Sequence, residues 1–198
     1  MTQLFLQGSR ICIRDWREDD LPLYERWNRP GHRWQETDGP YFPSFTEEEI
    51  RTRVGRLQER IRSGEWSHPR VSGVISLSAD APMVGIVNRY WENEPCNSAY
   101  MGVAIYDERL WGKGIGSEAL GLWTDYLFRV MAVHRLGLAT WSGNVGMVRA
   151  ALKLGFVEEA RLRRARIVRG ELYDGLAYGV LWEEWEQLYP QGFGQGRA

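Results

Sequence analysis

The 198-residue chain is 43% apolar and 26% charged, with a net charge of −1 and a pI near 6.3. That is an ordinary globular composition, with no global field to draw in nucleic acid or an anionic membrane. Cys12 and Cys96 are too few for a disulfide framework and three histidines too few for zinc-ligand spacing, so no metal is expected and both thiols are expected to pack as small apolar side chains. The N-terminus lacks the basic and apolar regions of a signal peptide, and no apolar run approaches the ~18 residues of a membrane span, which points to a cytoplasmic protein.

In chain order, Arg10 to Arg14 alternates, with Ile11 and Ile13 on one face, and predicts a first strand. Asp19-Asp20-Leu21-Pro22 sets acidic residues and an early proline at a helix start, and Asn28-Arg29-Pro30-Gly31 ends that helix. Residues 32–44 have no period and contain the breakers Gly39-Pro40 and Pro43. Thr46 and Glu49 have capping-box spacing before a second helix, whose apolar positions are 50, 54, 57 and 61. Strand-like runs follow at Val71–Ser78, Met83–Trp91 and Ala99–Tyr106, joined by turns short enough for antiparallel neighbours. Glu118 to Val130 is helical in spacing, Leu136 to Trp141 predicts a strand parallel to its predecessor, and Asn144 to Leu154 a further helix. Val157–Val168 and Glu171–Leu181 form a hairpin about Arg169-Gly170. The order βααβββαβαββ predicts one α/β (α+β) domain over residues 1–189 on a mixed, mostly antiparallel sheet, and argues against a Rossmann domain. The Gly- and Gln-rich residues 190–198 are expected to be a disordered tail.

The stretch Arg109-Leu-Trp-Gly-Lys-Gly-Ile-Gly-Ser117 lies between a strand and a helix. A glycine-rich turn at a helix start is an anion-binding geometry, because the first amides have no intrahelical partner and sit at the positive end of the dipole. A P-loop would require glycine where Asp107 stands, and a dinucleotide fingerprint would require glycine where Ser117 stands. Arg109, Gly112 and Gly114 instead fit Arg-x-x-Gly-x-Gly, and the stretch resembles motif A of the GCN5-related N-acetyltransferases (GNAT). Asn144 followed by Gly155-Phe156 is similar to that family's motif B, and Trp111-Gly-Lys-Gly114 with Tyr173-Asp174 resembles its ribosomal-protein N-terminal acetyltransferase branch. The resemblance covers roughly residues 8 to 186.

It implies the GNAT fold and direct transfer of an acetyl group from acetyl-CoA, as co-substrate, to a primary amine. The amides of Trp111, Gly112, Lys113, Gly114, Ile115, Gly116 and Ser117 would bind the pyrophosphate, with Arg109 or Lys113 adding charge and Arg149 or Lys153 reaching the 3′-phosphate. Backbone groups of Val103, Ala104 and Ile105 would pair with the pantetheine, and Asn144 would contact it or cap the motif B helix. Met147 and Ala151 stand where the family commonly carries its Ser or Tyr acid, so proton handling would fall to Glu92 first, then Asp174, Tyr173 and Glu36; Glu92, Asn144 and Tyr173 make up the expected catalytic set. In this family the 32–44 segment borders the acceptor cleft, making His32, Trp34, Glu36, Asp38 and, on the last strand, Asp174 the expected acceptor-binding residues. Of the ten tryptophans, Trp16, Trp27, Trp34, Trp66 and Trp91 fall in the first half; core packing is the simpler account, while several beside one cleft would suit an aromatic acceptor. The acceptor is a small molecule or a protein N-terminus, and a homodimer is compatible with the resemblance. The alternatives are an acyl-CoA-binding relative with little or no turnover, favoured by Met147 and Ala151, and a nucleic-acid module using the arginines of 161–169.

Overall fold

The computed structural model describes residues 4–194. Eight strands form one sheet: β1 (Phe5–Gln7), β2 (Cys12–Arg14), β3 (Ser72–Ser76), β4 (Met83–Asn93), β5 (Ser98–Ile105), β6 (Arg135–Trp141), β7 (Val157–Val168) and β8 (Glu171–Leu181), in the order β1-β2-β3-β4-β5-β6-β8-β7. The helices are α1 (Leu21–Asn28), α2 (Glu47–Ser63), α3 (Ile115–Met131), α4 (Val145–Lys153) and α5 (Trp182–Leu188). Among the described residues only β5 and β6 pair in parallel, because α3 crosses over between them.

Local chemistry sets several of these boundaries. Thr46 caps α2 by accepting from the Glu49 amide while Glu49 reaches back to the Thr46 amide (2.8 Å), and Gly64 at φ 65° closes the helix. Gly155 at φ 92° ends α4 and lets the Phe156 amide bond the Ala151 carbonyl at 3.1 Å, which turns the Phe156 ring into the core.

The two sheet faces are covered by different clusters. On the α3–α4 face Leu120, Trp123, Leu127, Leu136, Leu138 and Trp185 are buried; on the α1–α2 face Trp16, Tyr24, Trp34, Val74, Met83 and Tyr106 are. Buried Arg14 and Asp20 form a two-pronged ion pair (2.7 and 2.9 Å) that fixes β2 to the entry of α1. Arg70 does the same for Asp15.

Four expectations change. The first strand is a short hairpin, since Phe5–Gln7 adds an edge strand to Cys12–Arg14. A fifth helix follows β8, burying Trp185 completely. The described part of the expected disordered tail, 190–194, is packed: the Phe193 ring stacks on Trp185 and its amide donates to Asp125 at 3.2 Å. Cys12 is buried as expected, but Cys96 is exposed in the β4–β5 turn. Among the described residues no helix is long and apolar enough to cross a membrane.

Candidate active site

The turn after β5 is built to present amides. Asp107 caps the short helical turn Glu108–Leu110 and takes the Arg109 guanidinium at 2.8 and 2.7 Å. Their hydrogen bond lowers the Asp107 carboxyl and raises the Arg109 guanidinium, so Arg109's charge is committed inside the turn. Lys113 is exposed, and its side chain makes no hydrogen bond or ion pair among the described residues. Gly112 and Gly114 adopt φ of 72° and 80°, which a β-carbon disfavours. A Cβ on Gly112 would point into open space; one on Gly114 would come within 2.7 Å of Arg10 Nη1. Gly116 has no such demand, since its Cβ would rest 3.6 Å from Ile105. The Ile115, Gly116 and Ser117 amides, at the start of a 17-residue helix, bond to no group among the described residues. Three aligned donors beside the positive end of a helix dipole fit a diphosphate.

A clamp not visible in the sequence holds this corner. Buried Glu118 accepts from the Ser9 amide, the Ser9 hydroxyl (3.0 Å), the Arg10 amide (3.0 Å) and Arg10 Nε (2.8 Å), while Arg10 Nη1 donates to the Lys113 carbonyl at 2.7 Å. Burial raises the Glu118 carboxyl, but the bonds from Arg10 and Ser9 outweigh it and hold it below its ordinary value. An acidic residue in the first turn of a mostly apolar helix was its one sequence signal.

Beside this corner the sheet opens. β5 and β6 pair only at Ser98–Tyr100 with Arg135–Gly137, whereas β5 stays with β4 to Ile105 and β6 stays with β8 to Trp141. Past Tyr100 and Gly137 the two central strands part into a wedge whose β5 edge faces no strand. The Ile105 carbonyl is already used, accepting from Trp111 Nε1 at 2.9 Å, which leaves Val103 as the free edge residue, since Ala104, like Tyr106 on Val84, turns its backbone groups to β4. On the β6 side, Asn144 caps α4 by accepting from the Met147 amide at 3.1 Å, and its Nδ2 donates to the Thr37 carbonyl at 3.0 Å. Trp141 Nε1 donates to the same carbonyl at 2.9 Å. The 32–44 loop is thereby pinned across the wedge. Arg149 and Lys153 lie exposed on α4, their side chains with no hydrogen bond or ion pair among the described residues.

The expected acid–base and acceptor residues are largely dispersed. Glu92 accepts from the Ser98 hydroxyl at 2.7 Å and sits 3.9 Å from Arg135. That is the closed end of the wedge, about 13 Å from Gly102 by strand rise, so the structure does not bring Glu92 to the open end. Met147 and Ala151 pack into the core. Trp34 is buried against Tyr106 (4.7 Å) with its Nε1 donating to the Trp27 carbonyl, and His32 bonds the Arg26 carbonyl and packs on Trp27. Trp16, Trp27 and Trp66 join the same aromatic core, and Trp91 packs on the other face. Glu36 pairs with Arg169 at the hairpin tip (3.0 Å). The Asp174 carboxyl accepts from the Arg164 amide and from Arg161, both at 2.9 Å, and is held below its usual range by them in that order. Its task is to hold the bulge in β7, where Arg164 has φ 55°. An 830 Å³ groove lined by Arg161, Leu162, Arg163, Arg164 and Asp174 lies on this outer hairpin rather than in the wedge. Tyr173 does reach the wedge, its ring edge-on to Trp141 at 4.8 Å. Tyr41, which sequence reasoning missed, meets Trp141 at 6.5 Å and carries Arg166 over its other side. Asp38, alone among the expected carboxylates, has no hydrogen-bond or ion-pair partner among the described residues.

A mostly antiparallel sheet, wedged open at its parallel β5–β6 pair beside a helix N-terminal amide cradle, is the architecture of acyl-CoA-dependent acyltransferases. The Acetyltransferase (GNAT) domain family matches residues 10–157, and the chain belongs to it. That family uses acetyl-CoA as co-substrate. The chain is 29% identical over 144 residues to Bacillus subtilis Probable N-acetyltransferase YjcK, covering 72% of this chain and 77% of the relative. It is 27% identical over 112 residues to the SPbeta prophage-derived N-acetyltransferase YokL of the same organism, covering 57% of this chain and 63% of YokL. Its fold matches that of Vibrio cholerae spermidine N-acetyltransferase solved with CoA and spermine, with a TM-score of 0.70 at 19% identity over 90% of this chain and 99% of that one.

Proposed function

We propose that this protein transfers the acetyl group of acetyl-CoA directly to a primary amine. The observation that carries the proposal is the cradle of three amides at Ile115–Ser117 that bond to no group among the described residues, beside the unpaired β5 edge at Val103. The pyrophosphate lies on the three amides with Lys113 beside it, and the pantetheine takes the place of the missing strand. Arg149 and Lys153 are the cations available to the 3′-phosphate. Asn144 orients the open end through its bonds to Met147 and Thr37. Placing the thioester carbonyl and the amine side by side supplies much of the catalysis, since proximity is worth roughly 7–11 kcal/mol of barrier.

Titration with acetyl-CoA, followed by thiol release on a panel of 2-phenylethylamine, spermidine and an alanine-initiated peptide, tests both halves. Binding with release on at least one amine is expected. Binding with release on none would favour the alternative, an acyl-CoA-binding protein without turnover. We place the reaction in the cytoplasm, which suits an exposed unpaired thiol at Cys96. A homodimer is also part of the proposal: β7 is a sheet edge whose Leu162 and Ile167 are 59% and 64% exposed. Light scattering that returned the monomer mass of 23.0 kDa would reject it.

A further inference from the structure

The reaction needs a proton acceptor that the expected residues do not supply. Glu92 is engaged at the wrong end of the wedge, Glu36 and Asp174 are tied to arginines, and Met147 and Ala151 cannot exchange protons.

The α1–α2 face of the open wedge, however, forms a recess. By strand alternation Asn88 and Tyr90 of β4 share this face with Tyr100, Gly102 and Ala104 of β5, the side on which Ala104 and Tyr106 join the aromatic core. Gly102 leaves the floor open just past the last β5–β6 pair, where a Cβ would lie 2.9 Å from Asn88 Oδ1. Trp141 and Tyr173 form one wall and Tyr41 the rim. The loop over this recess is fixed: the Thr37 carbonyl is held by Trp141 and Asn144, and the Thr37 and Asp38 amides both donate to the Trp34 carbonyl (3.1 and 3.3 Å). Asp38 is the next residue along, directly after the anchored Thr37 carbonyl, at the side of the recess that Trp141 walls.

We propose that the Asp38 carboxylate receives the acceptor's ammonium in this recess and takes its proton. The inference rests on the acetyl-transfer reading above. The first proton of R–NH3⁺ passes to Asp38, and the freed nitrogen lone pair forms the C–N bond at the thioester carbonyl. As the C–S bond breaks, the remaining excess proton on nitrogen ends on the departing sulfur, so that CoA leaves as the thiol. Asp38 then gives its proton to solvent, to which it is exposed. Exposed Tyr90 and half-buried Tyr41 border the place the ammonium takes before it is deprotonated.

The surroundings favour the transfer. Although Asp38 keeps contact with water, burial by the protein around it raises its carboxyl, and the same crowding weakens a neighbouring ammonium's hold on its proton. The groups nearest this recess are Tyr90 from β4, Tyr100 from β5, Tyr106 after it, Tyr173 and Asp174 from β8, Tyr41 and Glu36 from the loop, Arg166 and Arg169 from the hairpin, and Arg53 from α2. Arg166 lies on Tyr41, Arg169 on Glu36 and Arg53 on Phe45, so none forms an ion pair with Asp38.

The test is Asp38→Asn, with Asp38→Glu as the conservative variant, assayed against pH on the panel amine with the highest turnover. The expected result is a fall in kcat of at least about 100-fold for Asn, loss of the alkaline-rising limb of kcat/KM, partial rescue by Glu and unchanged acetyl-CoA affinity. A kcat within threefold of wild type with the same pH profile would overturn the proposal, as would a rise in KM alone. Absence of thiol release from every panel amine would overturn it together with the catalytic half of the parent reading. Failure of the wild type to bind acetyl-CoA would instead remove the cofactor half.

Discussion

Gly114→Val should lose acetyl-CoA binding by at least about 100-fold while the chain still folds. Two effects act together at that position. A branched side chain at φ 80° is strained by roughly 1–3 kcal/mol, and its Cβ would displace the Arg10 guanidinium that braces the Lys113 carbonyl. The turn would then relax away from the geometry that aligns the Ile115–Ser117 amides. Calorimetric titration measures the affinity and a thermal melt the fold. Gly116→Ala is the internal control. Its Cβ makes ordinary contact with Ile105 and alanine suits a helix better than glycine, so it should bind within a few-fold of wild type. Equal affinity for Gly114→Val and wild type would remove the cradle from the account.

Glu118→Ala should be the most destabilising single change near the site, by about 2–3 kcal/mol, or roughly 5–10 °C in Tm for a chain of this length. It strands two backbone amides and a guanidinium that converge on one buried carboxylate. Because Arg10 is half exposed, the full cost of breaking a buried pair does not apply. The sign with pH follows from the depressed carboxyl of the folded state. Its contribution is fully present above the ordinary glutamate range and is lost as acid carries pH down through the folded value. The Tm gap between wild type and Glu118→Gln should therefore be constant near neutrality and shrink in acid. A gap that widened in acid would contradict the clamp. Looser acetyl-CoA binding by Glu118→Ala is expected as well, since the clamp and the amides share one turn.

The parts of the fold legible in sequence are those set by short-range chemistry. β7 and β8 fall on their predicted bounds because alternation is long and Arg169-Gly170, at φ 52° and 84°, makes a tight turn between them. The Thr46 capping box and the Gly155-Phe156 helix end were readable for the same reason. β1 was not, since three residues carry too little pattern to count. At the site, Gly112 and Gly114 were legible, but the acid–base group was not. Whether a carboxylate is free depends on distant partners: Arg135 and Ser98 occupy Glu92, Arg169 occupies Glu36, and Arg161 occupies Asp174. The wedge is equally non-local, because it exists only where the β5–β6 pairing stops. Trp34 shows the converse, a loop aromatic whose simpler account, core packing, is what the structure shows.

Backbone amide shifts of isotopically labelled protein, recorded as CoA is added, test the central claim most directly. The largest shifts are expected at Gly112 to Ser117, followed by Val103 on the open β5 edge. Shifts concentrated instead on the outer groove at Arg161–Arg164, with Ile115 to Ser117 unmoved, would contradict it.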